Sequence, residues 1–129
     1  MPLKTTNSGN TFRKEERLTR EKLIRELFEK GFSFYLFPFK VWVMRNPDPE
    51  YPFHQVLIAV PRKNFRKAVD RNLLKRRIRE AYRLNKHRIA ASEKLLIAYI
   101  YNAKEILTFS QIQERLVKTF NRFDHVETI

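Results

Sequence analysis

The chain contains no cysteine. Disulfide staples, thiolate zinc sites and cysteine nucleophiles are therefore excluded, and the absence fits a reducing compartment. Glycine is almost missing too, with two in 129 residues. That rules out Gly-rich loops, in which bare backbone closes around a phosphate. No apolar run approaches the roughly 20 residues that span a bilayer. Residues 1–10 are polar and lack the apolar core of a signal peptide. Acidic side chains are few beside basic ones: 14 Asp and Glu against 27 Lys and Arg, a formal net charge of +13. So much charge of one sign opposes compaction and favours an anionic partner. A membrane surface is the weaker candidate, because the basic segment carries no bulky aromatic wedges. The expectation is a cytoplasmic chain without membrane association.

Clusters that carry chemistry are missing as well. His54, His87 and His125 stand alone, without the H-x-x-x-H spacing of a metal-binding helix. Glu15 with Glu16, and Asp48 with Glu50, read as surface charge. Cleavage by two metals needs convergent carboxylates, and none is evident. The serines lack the strand-turn-helix setting of a nucleophile elbow. No catalytic residue and no metal ligand is assigned to the protein, and no protein partner is expected.

What is present suffices for one domain with a modest core: 43% hydrophobic and 13% aromatic residues. Residues 1–12 read as a flexible tail, 13–123 as the folded domain and 124–129 as a second tail. A first helix is expected over residues 20–30, with Thr19 as N-cap, Gly31 at the C′ position and Leu23, Ile24, Leu27 and Phe28 as its apolar stripe. Residues 34–44 read as one strand. Phe39, Val41 and Val43 lie on one face, with Lys40, Trp42 and Met44 on the other; Pro38 marks an edge, bulge or start. Residues 45–52, with three prolines, form a loop, and residues 53–60 a second strand paired with the first as a long-looped hairpin. A central helix over 67–85, a buried strand over 94–101 and a last helix over 109–123 complete the order α-β-β-α-β-α. Ser110 with Gln113, or Thr108 with Gln111, forms a capping box for the last helix, whose stripe is Ile112, Leu116, Phe120 and Phe123. The class is α/β of the α+β type, since helices and strands do not alternate regularly.

The central helix is the most informative segment. Between Arg62 and Arg88 stand twelve Lys and Arg and two Asp and Glu, a local charge of +10. At about 100° per residue from Arg71, Leu74, Ile78, Ala81 and Tyr82 cluster near 300°, a face fit to dock on a core. Asn72, Lys75, Arg76, Arg79 and Arg83 fall between about 40° and 140°, a separate basic face. A solvated helix would carry alternating signs, and Asp70 and Glu80 are too few to supply them. The face suits a nucleic acid. A DNA major groove admits a helix, whereas A-form RNA would be met through shape and backbone. A DNA-binding regulator is the weaker alternative, because no helix-turn-helix pair or zipper heptad sets half-site spacing. A ribosome-associated RNA-binding protein is the other.

The run Arg71-Asn72-x-x-Lys75-Arg76-x-x-Arg79, preceded by Lys67-Ala68-Val69 and followed by Glu80-Ala81-Tyr82, resembles the signature of the bacterial ribonuclease P protein component. Arg17-Leu18 and Leu27-Phe28-Glu29-Lys30-Gly31-Phe32-Ser33 are similar to that family's first helix and its exit. Ala59-Val60-Pro61-Arg62-Lys63 is similar to its strand end and basic turn. The resemblance covers residues 13–123. It departs at Leu73, where the family often has Arg, and at Ile24, where many members have an aromatic.

The resemblance implies a central mixed sheet packed by helices, with an extra short strand accommodated and a left-handed βαβ crossover. It implies a subunit of ribonuclease P, which removes the 5′ leader of precursor tRNA. Catalysis and Mg²⁺ belong to the RNA subunit. By the same resemblance Arg62, Lys63, Arg71, Asn72, Lys75, Arg76, Arg79 and Arg83 bind the ribonuclease P RNA. Phe28 and Trp42 match the family's cleft for the single-stranded leader, and Lys40 shares Trp42's face of the strand. Stacking platforms beside a cation are what single-stranded RNA requires.

Overall fold

The computed structural model describes residues 11–124; expectations for residues 1–10 and 125–129, His125 included, lie outside the described residues. Helix α1 is Glu21–Lys30, followed by strands β1 (Phe32–Leu36), β2 (Phe39–Arg45) and β3 (Gln55–Ala59). Helix α2 (Ala68–Asn85), strand β4 (Leu95–Tyr101) and helix α3 (Phe109–Phe120) follow. The four strands form one sheet in the order β1-β2-β4-β3. β1 and β4 run antiparallel to β2, and β3 runs parallel to β4, so the sheet is mixed, as expected.

Two strand expectations are corrected. Residues 34–44 are not one strand: the chain turns at Phe37-Pro38, a cis peptide bond, and the segment begins as β1 and returns as β2. Proline has no N–H for a ladder and suits a tight turn. Nor do β2 and β3 form a hairpin, because β4 lies between them. β4 is the apolar run Leu-Leu-Ile-Ala-Tyr-Ile-Tyr, buried at every position but Ile100. A strand covered on both faces needs apolar side chains on both, which the alternating β2 and the five-residue β3 supply less fully.

The sheet separates two apolar layers. On one face Phe34, Val41, Val43, Val56, Ile97 and Tyr99 join Leu74, Ile78, Ala81 and Tyr82 of α2 and Ile112, Leu116 and Phe120 of α3. All four α2 residues assigned to the docking face are buried, as is the α3 stripe through Phe123. On the other face a smaller cluster of Leu18, Leu27, Leu96 and Ala98 is joined by Leu23, Ile24, Trp42, Met44 and Leu57. Helix α1 covers this second face only in part.

The helix ends show why the chain turns where it does. α3 carries the Thr108–Gln111 capping box: Thr108 Oγ1 accepts from the Gln111 amide and Gln111 Oε1 from the Thr108 amide. α1 begins after Arg20 rather than Thr19 and has no side-chain cap. Gly31 closes it with ordinary extended angles, φ −71° and ψ 153°, not the left-handed ones expected. Glycine is needed here for close approach, since a Cβ would lie 2.4 Å from the Leu27 carbonyl oxygen.

Ahead of α1 the chain is pinned from both sides. Phe12, assigned to the tail from sequence, packs edge-on against Tyr82 at 5.7 Å. Glu16, expected at the surface, is 3% exposed; its Oε1 accepts from Lys86 Nζ at 2.6 Å and its Oε2 from the Arg13 amide at 3.0 Å. Arg17 bridges Val56, and the Leu18 amide donates to the Val56 carbonyl at 2.9 Å. Arg17 and Leu18 thus line the β3 edge instead of opening the first helix.

Candidate nucleic-acid interfaces

Helix α2 sorts its cations into two kinds. Arg62 and Lys63, in the turn after β3, are exposed, as are Asn72 and Arg76 on the helix; Lys75 and Arg79 are half-buried. Arg71 and Arg83 do more local work. Arg71 donates to the carbonyls of Phe65 and Arg66, both at 2.8 Å, which fastens the basic turn to the first turn of the helix. Arg83 holds Glu80 through two donated bonds, 3.1 and 2.6 Å. Glu80 is thereby held below the usual carboxylate range, and Arg83 is raised. Arg77, outside the basic arc, donates to the Leu107 carbonyl and ties the loop before α3 to α2.

The basic face extends beyond the helix. Burial lowers the Arg79 guanidinium from its ordinary range, and the charge of Arg17 lowers it further. Arg17 is thus a cation at the β3 edge whose charge reaches Arg79. Helical periodicity has no means of finding this residue, which is 62 positions away and is held near α2 by the parallel bridge to Val56 and by the Phe12–Tyr82 and Glu16–Lys86 contacts.

The second candidate surface lies across the sheet. Phe28 of α1 meets Trp42 of β2 edge-on, with centroids 5.2 Å apart. Lys40 Nζ sits 5.7 Å from the centroid of the Trp42 ring. Phe28 is 36% exposed and Trp42 half-buried, so the pair is neither core nor free surface. Strand alternation correctly joins Lys40 to Trp42, and the structure brings Phe28 to them from the helix above. Ile24, where many family members have an aromatic, packs in the same apolar cluster. Of the tyrosines, Tyr99 and Tyr101 are core, whereas Tyr35 is 49% exposed.

His54, Tyr82 and Tyr99 serve the fold. His54 Nδ1 accepts from the Leu95 amide at 2.9 Å. Burial first and Lys94 second push its pKa down to about 4, against a smaller raising effect of Glu16. Burial likewise raises Tyr82 and Tyr99. Among the described residues no three of His, Asp and Glu converge as a metal site would need, and no helix is long and apolar enough to cross a membrane.

Such a chain is an α+β domain with a strongly basic helix on one side of a mixed sheet and a partly exposed aromatic pair beside a lysine on the other. Residues 12–124 match the family described as Ribonuclease P. The Ribonuclease P protein component of Porphyromonas gingivalis is 32% identical over 114 residues, 84% of this chain and 83% of the relative. The RNase P protein of Thermotoga maritima superposes with a TM-score of 0.67 at 32% identity, over 83% of this chain and 96% of that one. A mutant RNase P protein of Staphylococcus aureus gives 0.74 at 28% identity, over 86% and 90%.

The chain belongs to the ribonuclease P protein family. It is a subunit of the ribonuclease P endoribonuclease, acts in tRNA processing and has ribonuclease P RNA as its partner.

Proposed function

We propose that the two surfaces divide the work of the subunit. The α2 face, through Arg62, Lys63, Asn72, Lys75, Arg76 and Arg79, docks the ribonuclease P RNA, with Arg71 and Arg83 shaping that face as well as adding charge. The cleft of Phe28, Lys40 and Trp42 holds the single-stranded 5′ leader of precursor tRNA. The observation that carries this reading is the Phe28–Trp42 pair with a lysine over the indole, on the side of the sheet away from α2. Stacking on such rings tolerates any base, and the neighbouring cation tracks the phosphates.

Mg²⁺ bound by the RNA supplies the chemistry of phosphodiester hydrolysis. The chain's residues offset phosphate repulsion and position the leader, and the complex works in the cytoplasm. Tighter holding of the substrate acts on affinity, and it lowers the Mg²⁺ concentration at which the ribozyme functions.

The test is reconstitution. Adding the protein to bacterial ribonuclease P RNA and precursor tRNA at low Mg²⁺ should raise leader cleavage well above that of RNA alone; no gain would end this reading. Trp42→Leu, which keeps apolar volume beneath Phe28, should weaken precursor binding by about 5- to 100-fold, the worth of one stacked base. The same variant should leave affinity for the RNA subunit unchanged. Equal loss of both would merge the two surfaces into one.

A further inference from the structure

The cleft continues past Trp42. Cross-strand register places two rows of side chains on the sheet face under α1. One row is Ser33, Trp42, Ala98 and Leu57, and the next is Tyr35, Lys40, Ile100 and Ala59. Trp42, Ala98 and Leu57 of the first row belong to the apolar cluster that α1 covers, and no member of the second row does. None of the four residues in the second row is buried. An uncovered row on a sheet face, ending in a half-exposed tyrosine, adjoins the Phe28–Trp42 pair directly.

Tyr35 lies opposite Lys40 and is the diagonal neighbour of Trp42. Diagonal neighbours in an antiparallel pair stand about 7–8 Å apart, within reach of large rings. Lys40 lies between the two rings in register, with its ammonium toward Trp42. Ring, cation, ring is the order that a single strand meets when bases alternate with phosphates. Tyr35 is the most exposed member of its row and stands beside a lysine and the half-buried Trp42.

We propose that Tyr35 is a further stacking subsite for single-stranded RNA, taking one more base of the leader than the Phe28–Trp42 pair holds, with Lys40 contacting the phosphate between them. The subsite rests on the leader reading of the cleft. It makes the track a path across β2 and β1 that leaves the protein at the β1 edge.

The experiment uses holoenzyme reconstituted from the protein and ribonuclease P RNA, with precursor tRNAs whose leaders lengthen one nucleotide at a time. Wild-type affinity should rise as each subsite is reached. Tyr35→Thr keeps a strand-forming residue and removes the ring. It should lose one step, about 5- to 100-fold, on leaders long enough to arrive there, and match wild type on shorter ones. Tyr35→Phe should keep the step. If Tyr35→Thr follows wild type at every length while Trp42→Leu still weakens binding, the subsite is wrong and the cleft reading stands. If Trp42→Leu also has no effect, the leader reading itself fails. A uniform loss for Tyr35→Thr at all lengths, leaderless tRNA included, would also overturn the subsite.

Discussion

His54 shows how one side chain ties the ends of the fold together. Its Nδ1 accepts the first amide of β4, so the residue just before β3 is held to the start of the adjacent strand. An accepting nitrogen must be unprotonated, and burial beside Lys94 pushes the pKa down to about 4. In the unfolded chain the imidazole titrates near 6.5. Between those values the unfolded state binds more protons, so stability rises with pH across that interval. The contribution is complete above about pH 6.5 and is lost as pH falls through about 4. His54→Asn keeps an acceptor near the same position and removes the titration. Urea unfolding at pH 7.5 and pH 4.5 should show the wild type losing on the order of 2 kcal/mol more than this variant. Parallel losses would show that His54 is not the group responsible. The sequence displays the histidine but not its role, because both Leu95 and Lys94 reach it from some forty positions away.

Helix α2 reads differently at its own scale. The positions of Leu74, Ile78, Ala81 and Tyr82 follow from a 3.6-residue repeat, and all four are buried as that repeat requires. The neighbouring basic arc is legible for the same reason. What the wheel conceals is which cations are engaged locally. Arg83 lies in the arc with Arg76, and Arg71 beside it, yet these two hold Glu80 and backbone carbonyls respectively. Arg76→Ala with Arg79→Ala should therefore weaken docking of the RNA subunit and flatten the dependence of log affinity on log salt. The slope should change by about one for each phosphate contact removed. Arg77→Ala, which removes the bond to the Leu107 carbonyl, should leave that slope in place and lower thermal stability instead. A slope unmoved by the double variant would remove the basic arc from the docking surface.

At the scale of the molecule, topology is the least legible level. The alternation of Phe39, Val41 and Val43 with Lys40, Trp42 and Met44 is plain in sequence, and so are the apolar β4 run and the faces of the helices. That β4 slots between β2 and β3 is not, since pairing depends on which strand best fills a position covered on both faces. The turn at Phe37-Pro38 similarly hides a hairpin inside what reads as one strand. Side-chain neighbours follow the same division: the faces of α2 and the Lys40–Trp42 alternation are set by local periodicity, whereas the bridge of Arg17 to Val56 and the pairing of Tyr35 with Lys40 depend on strand register. The sheet is also what separates the two proposed functions, with α2 packed in one apolar layer and Phe28 and Trp42 at the other. Sites without shared partners have additive effects, within about 0.3–0.5 kcal/mol. The Arg76→Ala/Arg79→Ala pair should lower RNA-subunit affinity, and Trp42→Leu precursor affinity. Combining all three should reproduce the sum of the two losses in the free energy of assembling subunit, RNA and precursor. Titrating both RNAs against the wild type and the three variant proteins closes the cycle. A coupling above about 1 kcal/mol would mean that the basic helix and the aromatic cleft grip one continuous RNA surface through a responsive sheet. Within that bound, the sheet is a rigid partition, and each face can be altered without disturbing the other.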